Sequence, residues 1–444
     1  SITDDLHNYL PYVRVSGSTT TWIRITDLTT GSSGTVTFLN SNGTVANTAN
    51  FSVGTWGTTA LSANWYVGTG LYGVQVSSNN PVAVTAEINA TPLGYETGAY
   101  AGMTNGSDKI YVPLIMYNWG AGNKYTDYNI MNIGNAPVTV NVVYYKTGGT
   151  GNVPGQETYT IQPQGFASVD VRSRPGWSGN VYGTAVVSSA MPSSAGQVVV
   201  TARQRRDADN SSVLFSGVNS EDARVAVRAP LFMNNNNYWN SGLQVQTTGN
   251  RTTTATVNYY QLNGGWVKSN SASVAANNAA TFYAPGEGLP NPFVGSAVVD
   301  TYASNYQPLA ATIAHENSYS PRTTAHEGTN IGAYLLLAPA VLNRSDYVTG
   351  IQVQNIDGSQ ATVYVDYYNQ SGTYQGGVGP IYLNPGVAYN IYPAGPSNFD
   401  GSARIWSSNT KRLAAITNLT VLGQGGDVDK GYTLPVPRVD EINP

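Results

Sequence analysis

Three histidines are the residues of this sequence best suited to metal binding or to acid–base chemistry. They are His7, His315 and His326, and the chain has no cysteine. His315-Glu316 and His326-Glu327 match the first half of a His-Glu-x-x-His zinc motif, but neither has the second histidine. A zinc or iron site needs further converging ligands. The sequence therefore predicts no metal site and no cofactor, and it favours histidines on the surface or in linkers.

Carboxylates are scattered in the same way. Glycoside hydrolysis needs two carboxyl groups that face each other across a cleft, yet no Asp or Glu recurs at one position of the repeats described below. Asp427 and Asp429, beside Gly425-Gly426, would supply two ligands of a calcium site, and an ordinary polar turn is the alternative. We predict no catalytic residues and no enzymatic activity.

Composition limits the remaining partners. Only 10% of the residues are charged and the formal net charge is −4. Because the basic residues form no stripe that would bind phosphates, nucleic acid is not an expected partner. No apolar run reaches the roughly 18 residues of a membrane span. The chain begins at Ser1 and is rich in Ser, Thr, Asn and Gly, so we expect an extracellular or cell-surface protein whose signal peptide has been removed.

Tyrosine doublets supply regularly spaced aromatic side chains. They recur at one repeat position, as Tyr144-Tyr145, Tyr259-Tyr260 and Tyr367-Tyr368. Consecutive strand residues face opposite ways, so one ring of each doublet should lie in the core and the other outside. The candidates for contact with glycans or with a neighbouring subunit are Tyr145, Tyr260 and Tyr368, together with Tyr238 and Trp239 in an Asn-rich loop. Cross-strand pairing within the sheet is the alternative.

Sequons for N-linked glycosylation are frequent, although many arise by chance in a chain so rich in Asn, Ser and Thr. The asparagines are Asn42, Asn50, Asn89, Asn105, Asn210, Asn250, Asn343, Asn369 and Asn418.

These residues are carried by a repeat of about 100 residues. Leu10-Pro11, Val112-Pro113, Ala229-Pro230 and Ala338-Pro339 each open a block with the same order of motifs. Alternating and β-branched runs separated by Gly and Asn turns indicate strands. The first block predicts seven of them, at 9 to 15, 21 to 28, 34 to 40, 45 to 53, 59 to 63, 72 to 77 and 82 to 88. This pattern is typical of an immunoglobulin-like β-sandwich, and an eight-stranded jelly roll is the alternative.

We therefore predict an all-β chain of four tandem immunoglobulin-like β-sandwich domains with a spare terminal β-strand and almost no helix. The predicted domains are 1–90, 110–203, 225–317 and 333–422, and a tail covers 423–444. The segments 90–109, 204–224, 318–332 and 423–431 hold much of the charge. They are predicted to be solvated linkers, with lateral salt bridges between neighbouring subunits as the alternative.

A fifth Leu-Pro, Leu434-Pro435, has no block behind it. We predict that this surplus strand, 432 to 439, or its N-terminal counterpart, 9 to 15, adds to an open sheet edge of an adjoining subunit. Such a head-to-tail contact propagates into a filament unless rotation closes a ring. The interface candidates are Tyr432, Leu434, Pro435, Val436 and Val439 in the tail, and Tyr9, Leu10, Pro11, Val13 and Val15 near the N-terminus. The alternative is that the tail packs on its own fourth domain.

Several motifs resemble the tandem immunoglobulin-like repeats of secreted and cell-surface proteins in filamentous bacteria. They are Tyr-Val-Pro-Leu at 111–114, Thr-Gly-Ile-Gln-Val-Gln-Asn at 349–355, Phe-x-Gly-Ser-Ala at 293–297 and 399–403, and Leu-Ala-Ala-Ile-x-Asn at 413–418. The resemblance spans nearly the whole chain, is carried by structural residues and is weakest in the first block. It implies a scaffold of surfaces or filaments. We expect a homopolymeric structural subunit of an extracellular filament, sheath or surface layer. The alternatives are an adhesin or carbohydrate-binding protein that binds surface glycans, and a phage or virion surface protein.

Overall fold

The computed structural model describes residues 6–90, 97–120, 122–147, 156–174, 177, 179–189, 197–208, 211–320, 322–422 and 428–433. This part of the chain is all-β and forms several antiparallel sheets. Short 3-10 turns occur at Ala63–Trp65, Val171–Ser173 and Ala284–Gly286. The prediction of an all-β chain with almost no helix is confirmed. Within the described ranges, no helix has the length and apolar character needed to cross a membrane.

The strands follow one another in four similar series, which we call units 1 to 4. Unit 1 comprises β1 (His7–Val15), β2 (Thr19–Asp27), β3 (Ser32–Leu39), β4 (Val45–Val53), β5 (Thr58–Ser62), β6 (Gly70–Ser78), β7 (Val82–Ala90) and β8 (Gly98–Ala101). Unit 2 comprises β9 (Lys109–Tyr117), β10 (Lys124–Asn132), β11 (Val138–Lys146), β12 (Glu157–Ile161), β13 (Phe166–Asp170), β14 (Val181–Ser189), β15 (Val198–Arg206), β16 (Ser212–Ser216) and the short β17 (Val218–Asn219).

Units 3 and 4 repeat this order. Unit 3 comprises β18 (Ala226–Asn234), β19 (Trp239–Thr247), β20 (Thr253–Gln261), β21 (Trp266–Val274), β22 (Ala279–Tyr283), β23 (Phe293–Asp300), β24 (Leu309–Asn317) and β25 (Thr323–Glu327). Unit 4 comprises β26 (Leu335–Asn343), β27 (Tyr347–Asn355), β28 (Ala361–Asn369), β29 (Tyr374–Leu383), β30 (Ala388–Ile391), β31 (Phe399–Ser407), β32 (Leu413–Val421) and β33 (Val428–Thr433).

Every unit contains the same two four-stranded arrangements. In unit 1 the sheets have the orders β1-β6-β3-β4 and β5-β2-β7-β8, and the other units have the corresponding neighbours. Unit 2 adds β17 beside β9, and in unit 4 a bridge between Asn343 and Val348 joins the two sheets. All seven strands predicted for the first block are present, with ends shifted by up to a few residues. The eighth strand of each unit lies in a segment that the sequence assigned to a linker or to the tail.

A hydrogen bond that repeats in all four units links the first and second strands. The third residue after each proline donates its backbone N–H to a hydroxyl at the third position of the second strand. The pairs are Arg14 with Thr21 at 2.9 Å, Met116 with Thr126 at 3.0 Å, Met233 with Ser241 at 2.8 Å and Leu342 with Thr349 at 2.8 Å. The repeat seen in the sequence is therefore also a repeat of specific polar contacts.

The Xaa-Pro dipeptides mark an irregularity in each first strand. The pairing of β1 with β6 shifts register between Leu10 and Val13, so that Pro11 and the residue after it are unpaired. The same shift occurs in β26 at Pro339 and in β18 at Pro230. Proline lacks an N–H and is tolerated at an edge strand or a bulge. The motif therefore builds a bulge on the first strand of the unit, where two residues stay outside the pairing with the sixth strand.

A glycine that recurs in the sixth strands of units 2 to 4 has a steric reason. A Cβ added to Gly295 would lie 2.0 Å from the carbonyl oxygen of Tyr260, and one added to Gly401 would lie 2.1 Å from that of Tyr368. Gly183 stands in the same relation to Tyr145, at 2.1 Å. These distances are far shorter than any real contact, so the glycine of the Phe-x-Gly pattern lets the sixth strand approach the tyrosine doublet.

Each unit has its own apolar core, and three of these cores contain a residue from another unit's eighth strand. Leu214 of β16 belongs to the core of unit 1, Ala325 of β25 to the core of unit 2, and Ala99 of β8 to the core of unit 4. These residues hold the same register position in their strands, and the corresponding residue of β33 is Gly431. The predicted linkers are thus not simply solvated: all five residues of β16 are buried. The prediction failed because a buried strand of four or five residues carries little periodicity.

The units are arranged in a closed ring. The first strand of each unit packs against the second and seventh strands of the next, as β1 does on β10 and β15, and β26 of unit 4 packs in the same way on β2 and β7 of unit 1. The eighth strands form an inner ring in which β8 contacts β16, β16 contacts β25, β25 contacts β33 and β33 contacts β8. The contact between successive units is head-to-tail, and here the rotation closes within one chain.

Candidate functional site

The junctions between units contain several of the residues that the sequence singled out. Asn129 Nδ2 of unit 2 donates to the Pro11 carbonyl at 2.8 Å, and Gln352 Nε2 of unit 4 donates to the Pro230 carbonyl at 2.7 Å. At the closing junction, Thr58 Oγ1 of unit 1 donates to the Pro339 carbonyl at 3.3 Å. The proline bulge therefore supplies an acceptor that the next unit recognises through a buried polar side chain.

Apolar clusters cover the same four junctions. Tyr9 and Met131 belong to the cluster between units 1 and 2, and Tyr111 and Ala310 to that between units 2 and 3. Leu231 and Ile416 pack between units 3 and 4, and Leu28 and Leu337 between units 4 and 1. Because these side chains are nearly inaccessible to solvent, each junction contributes apolar burial as well as hydrogen bonds.

The N-terminal interface candidates lie inside the ring. Leu10, Val13 and Val15 are buried in the core of unit 1, whereas Tyr9 and the Pro11 carbonyl face unit 2. In addition, the eighth strand forms hydrogen bonds with the bulge. Tyr100 Oη donates to the carbonyl of Tyr12 at 2.8 Å and accepts from its N–H at 3.0 Å. Strand β1 is thus a complete part of its own unit and of its junction with unit 2.

The C-terminal candidates divide at residue 433. Tyr432 lies in β33, where it is paired with Thr417 of β32 in the same chain. Leu434, Pro435, Val436 and Val439 lie outside the described residues, as do the side chains of Asp427 and Asp429. In units 2 to 4 the repeat proline follows the preceding eighth strand by 113−101=12, 230−216=14 and 339−327=12 residues, whereas Pro435 follows β33 by 435−433=2. The spacing of the fifth Leu-Pro from the preceding eighth strand therefore differs from that of the Xaa-Pro dipeptides that open units 2 to 4.

The two tyrosines of each doublet have different environments. Tyr144, Tyr259 and Tyr367 are buried in the cores of their units, and burial raises the pKa of Tyr144 to about 12. The second tyrosines are half-buried at the junctions. Tyr145 packs on the cluster between units 2 and 3, Tyr260 on the core of unit 4, and Tyr368 on Trp56 of unit 1 with ring centroids 6.0 Å apart. The structure places these three candidates between units of one chain.

The two remaining aromatic candidates also differ in their exposure to solvent. Tyr238 is 56% exposed and stacks on Tyr319, with ring centroids 5.3 Å apart. Its neighbour Trp239 packs on the cluster between units 3 and 4. Only Tyr238 of the five glycan candidates therefore presents most of its ring to solvent.

The charges predicted for the second linker form ion pairs within unit 2. Arg203 Nη2 lies 2.7 Å from Asp127 Oδ2, and Arg205 lies 3.4 Å from the same oxygen atom. Arg205 also approaches Asp170, which binds Arg172. Burial raises the pKa of Asp127 to about 6, although the neighbouring Arg203 acts in the opposite direction. This network spans β10, β13 and β15.

Two of the three histidines are fully buried, so the prediction of surface or linker histidines is wrong for them. His315 lies in β24 and His326 in β25, whereas His7 is exposed. The prediction failed because the segment around His326 is a strand and not a loop. Among the described residues, no group of three or more His, Asp or Glu side chains is placed to hold a metal ion.

The sequons differ in access. Asn42, Asn50 and Asn250 are exposed, while Asn89, Asn105, Asn343, Asn369 and Asn418 are partly buried. The side-chain amide of Asn343 donates to the carbonyl of Gly395 at 2.9 Å. Asn210 lies outside the described residues.

A cleft that the sequence gave no sign of lies at the junction of units 2 and 3. It has a volume of about 770 Å³, and Trp119, Tyr182, Tyr283 and Tyr319 are part of its lining. Polar side chains in the lining include Gln244, which accepts from Tyr182 Oη at 2.9 Å. The related position between units 4 and 1 holds a smaller cavity of about 450 Å³. These residues are far apart in the sequence and in no common motif, which explains why sequence patterns did not reveal them.

Comparison with known proteins does not assign the chain to a family. No family model matches it, and no curated protein matches it. Among solved structures, the protein Thermotoga maritima 1070 matches at 17% identity with a TM-score of 0.21, covering 26% of this chain and 97% of that chain. A glycoside hydrolase of family 32 from Bifidobacterium adolescentis matches at 11% identity with a TM-score of 0.16, covering 96% and 95%. The serine-rich repeat protein Srr2 from Streptococcus agalactiae matches at 9% identity with a TM-score of 0.12, covering 56% and 89%.

Proposed function

We propose that this protein is a structural subunit of an extracellular filament, sheath or surface layer. The observation that carries the proposal is the closed ring, in which every first strand packs on the next unit and unit 4 packs on unit 1. Buried contacts at all four junctions hold the units in fixed positions, as a rigid building block requires. The charge content of 10% gives little repulsion between copies. Exposed sequons at Asn42, Asn50 and Asn250 are compatible with an extracellular location.

We further propose that the four units are immunoglobulin-like β-sandwich domains with an added strand. In immunoglobulin sandwiches the second strand lies beside the fifth and the third beside the sixth. All four units share these neighbours, as β2 with β5 and β3 with β6. The pairing of the first strand with the sixth, that of the second with the seventh, and the eighth strand are additions of these repeats.

Polymerisation through β-strand addition needs a donor that is not already paired. Residues 428–433 are paired with β32 in the same chain, so the donor is confined to the segment 434 to 439. This segment contains Leu434 and Val436, whose apolar side chains would lie on one face of the strand and pack on the acceptor sheet while the main chain completes its ladder.

The acceptor is proposed to be the outer edge of β4. Four strands end the first sheet of their unit, namely β4, β12, β21 and β29. Natural edge strands resist pairing when they are short, charged, bulged or interrupted by proline. β12 has only five residues, β21 carries Lys268, and β29 carries Pro380 and two register shifts. β4 has nine residues without a charged side chain or Pro and a single register shift near its start, and it is therefore the least protected of these edges.

Deletion of residues 434–444 tests the proposal, because it leaves β33 and the ring intact. Negative-stain microscopy of the full-length chain should show polymers, and the truncated chain should remain as single rings. The double variant Thr48→Lys/Ser52→Lys, at two exposed positions of β4, should give the same loss by charging the edge. The matched control is Ser271→Lys/Ser273→Lys at exposed positions of β21. Polymers that persist in both the truncated chain and the β4 variant would rule out strand addition at this edge.

A further inference from the structure

The cleft between units 2 and 3 combines accessible aromatic faces with fixed hydrogen-bonding groups. Trp119 is 38% exposed and packs on Tyr182 with ring centroids 4.9 Å apart, Tyr283 is 48% exposed, and Tyr319 is 83% exposed. The volume of about 770 Å³ lies in the range of small-molecule sites, about 300–1,000 Å³. Exposed aromatic rings that surround a cavity of this size are typical of a binding surface and not of a core.

The rings are held in place by the backbone. Trp119 exchanges hydrogen bonds with Lys124 at 3.1 and 3.0 Å, which closes the turn before β10. On the opposite wall, Asn317 Oδ1 accepts from the N–H groups of Tyr319 and Ser320 at 3.0 Å each. A ligand would therefore meet aromatic faces that are ordered in advance, which limits the entropy lost on binding.

The polar groups of the cleft are also fixed. Gln244 Oε1 accepts from Tyr182 Oη and from Thr281 Oγ1, and Gln244 Nε2 donates to Thr147 Oγ1 at 3.0 Å. Lys124 Nζ and Glu316 form an ion pair across the junction, so their charges compensate. Ser320 Oγ is buried without a hydrogen-bond partner among the described residues.

The related cavity between units 4 and 1 differs from this cleft in its charged side chains. There Arg24 pairs with Glu87 at 2.9 Å and with Asp400 at 3.1 Å, and Arg344 pairs with Asp400 at 3.0 Å. Those charged side chains pair with one another and line a smaller cavity of about 450 Å³. The cleft between units 2 and 3 has instead one ion pair and Arg206 beside four aromatic side chains.

We propose that this cleft is a binding site for a neutral oligosaccharide. The apolar C–H faces of pyranose rings pack on aromatic rings, and sugar hydroxyl groups both donate and accept hydrogen bonds, which matches the mixture of groups in the lining. Lys124 and Glu316 pair with each other, and Arg206 is the remaining charged residue of the lining, so most of the groups offered to a ligand are uncharged. This site differs from the junction tyrosines and from the edge used in assembly, so it stands whether or not the chain polymerises.

Calorimetric titration of the full-length chain with soluble gluco-, xylo-, manno- and chito-oligosaccharides tests the proposal. At least one of these probes should bind, with an affinity that changes little between about 0.05 and 0.5 M NaCl because the probes carry no charge. Trp119→Ala and Tyr283→Ala should each weaken binding on the order of tenfold. Trp119→Phe keeps an aromatic face and should bind almost as the native chain does.

The control for these variants is Trp266→Ala, since Trp266 is 60% exposed on β21 and does not line the cleft. Circular dichroism should show that all four variants remain folded. The proposal is overturned if none of the four probes binds, if binding is lost with salt, or if Trp119→Ala and Trp266→Ala bind equally well.

Discussion

The imidazole rings of His315 and His326 lie 5.2 Å apart between their centroids, and both side chains are fully buried. His315 Nδ1 is 2.7 Å from Ser241 Oγ, and His326 Nδ1 is 3.0 Å from the carbonyl oxygen of Glu327. Both Nε2 atoms lack a hydrogen-bond partner in the described part of the chain. Burial lowers the pKa of both histidines, that of His326 to about 4. The pair is therefore neutral in the folded protein at neutral pH.

We expect the free energy of unfolding to fall as the pH is lowered from 6.5, the ordinary histidine pKa, towards about 4. In that window the unfolded chain binds protons that the folded pair excludes, at roughly 1.4 kcal/mol for each unit of pKa shift. Urea unfolding at about pH 7 and pH 5 measures the change. His326→Phe should reduce the pH dependence. Phenylalanine already occurs at the corresponding register position of β16, as Phe215. An unchanged dependence would contradict the assignment.

Gln352→Leu should destabilise the junction of units 3 and 4. The buried amide of Gln352 donates to the carbonyl of Pro230 at 2.7 Å and to that of Gly295 at 3.2 Å. Leucine leaves both acceptors without this donor, which costs about 1–3 kcal/mol for a buried group. Chemical denaturation measures the loss. The control Gln375→Leu replaces an exposed glutamine of β29 and should change stability by less than about 0.5 kcal/mol.

Tyr368→Ala should weaken the junction that closes the ring. The ring of Tyr368 stacks on Trp56, and the guanidinium of Arg404 lies 5.2 Å from the Trp56 ring centre. Loss of a half-buried aromatic contact costs roughly 1–3 kcal/mol, less than a fully buried ring. Thermal unfolding compares it with Tyr382→Ala, which removes a ring that is 63% exposed. Equal melting temperatures for the two variants would show that the stacking contributes nothing.

Truncation before β33 should be far more damaging than truncation after it. A chain that ends at residue 427 lacks the eighth strand of unit 4, which pairs with β32 and contacts β25 and β8. Its loss exposes the edge of β32, so we expect a lower melting temperature and aggregation. A chain that ends at residue 433 keeps these contacts and should melt close to the full-length chain. Equal melting temperatures for the two truncated chains would show that β33 does not stabilise the ring.

Local pattern was sufficient for most strands but not for the contacts between units. Alternation and turn residues predicted all seven strands from β1 to β7; six of these have eight or nine residues, enough to show a period of two, whereas β5 has five. The short eighth strands were missed, although Val213-Leu214-Phe215 is an apolar run inside a predicted linker. Their burial depends on units about 100 residues away in the chain, which periodicity does not record.

The candidate sites show the same limit. The alternation of strand residues predicted that one tyrosine of each doublet lies in the core, and the burial of Tyr259 confirms this. Alternation could not indicate that another unit covers the second tyrosine, Tyr260. The cleft aromatics Trp119 and Tyr283 come from a turn and a strand end in different units. Their proximity results from the closure of the ring, a tertiary arrangement that no spacing in the sequence encodes.

The shared cores have a consequence for biosynthesis. A ribosome releases the chain from its N-terminus, yet the core of unit 1 contains Leu214 and the core of unit 2 contains Ala325. Units 1 and 2 therefore each wait for a core residue that is translated long after their own seventh strands. The final joint of the ring uses β33, which is synthesised after every other described strand and meets β8 of unit 1. The ring therefore closes only after β33 has been synthesised, through contacts between strands that are distant in sequence.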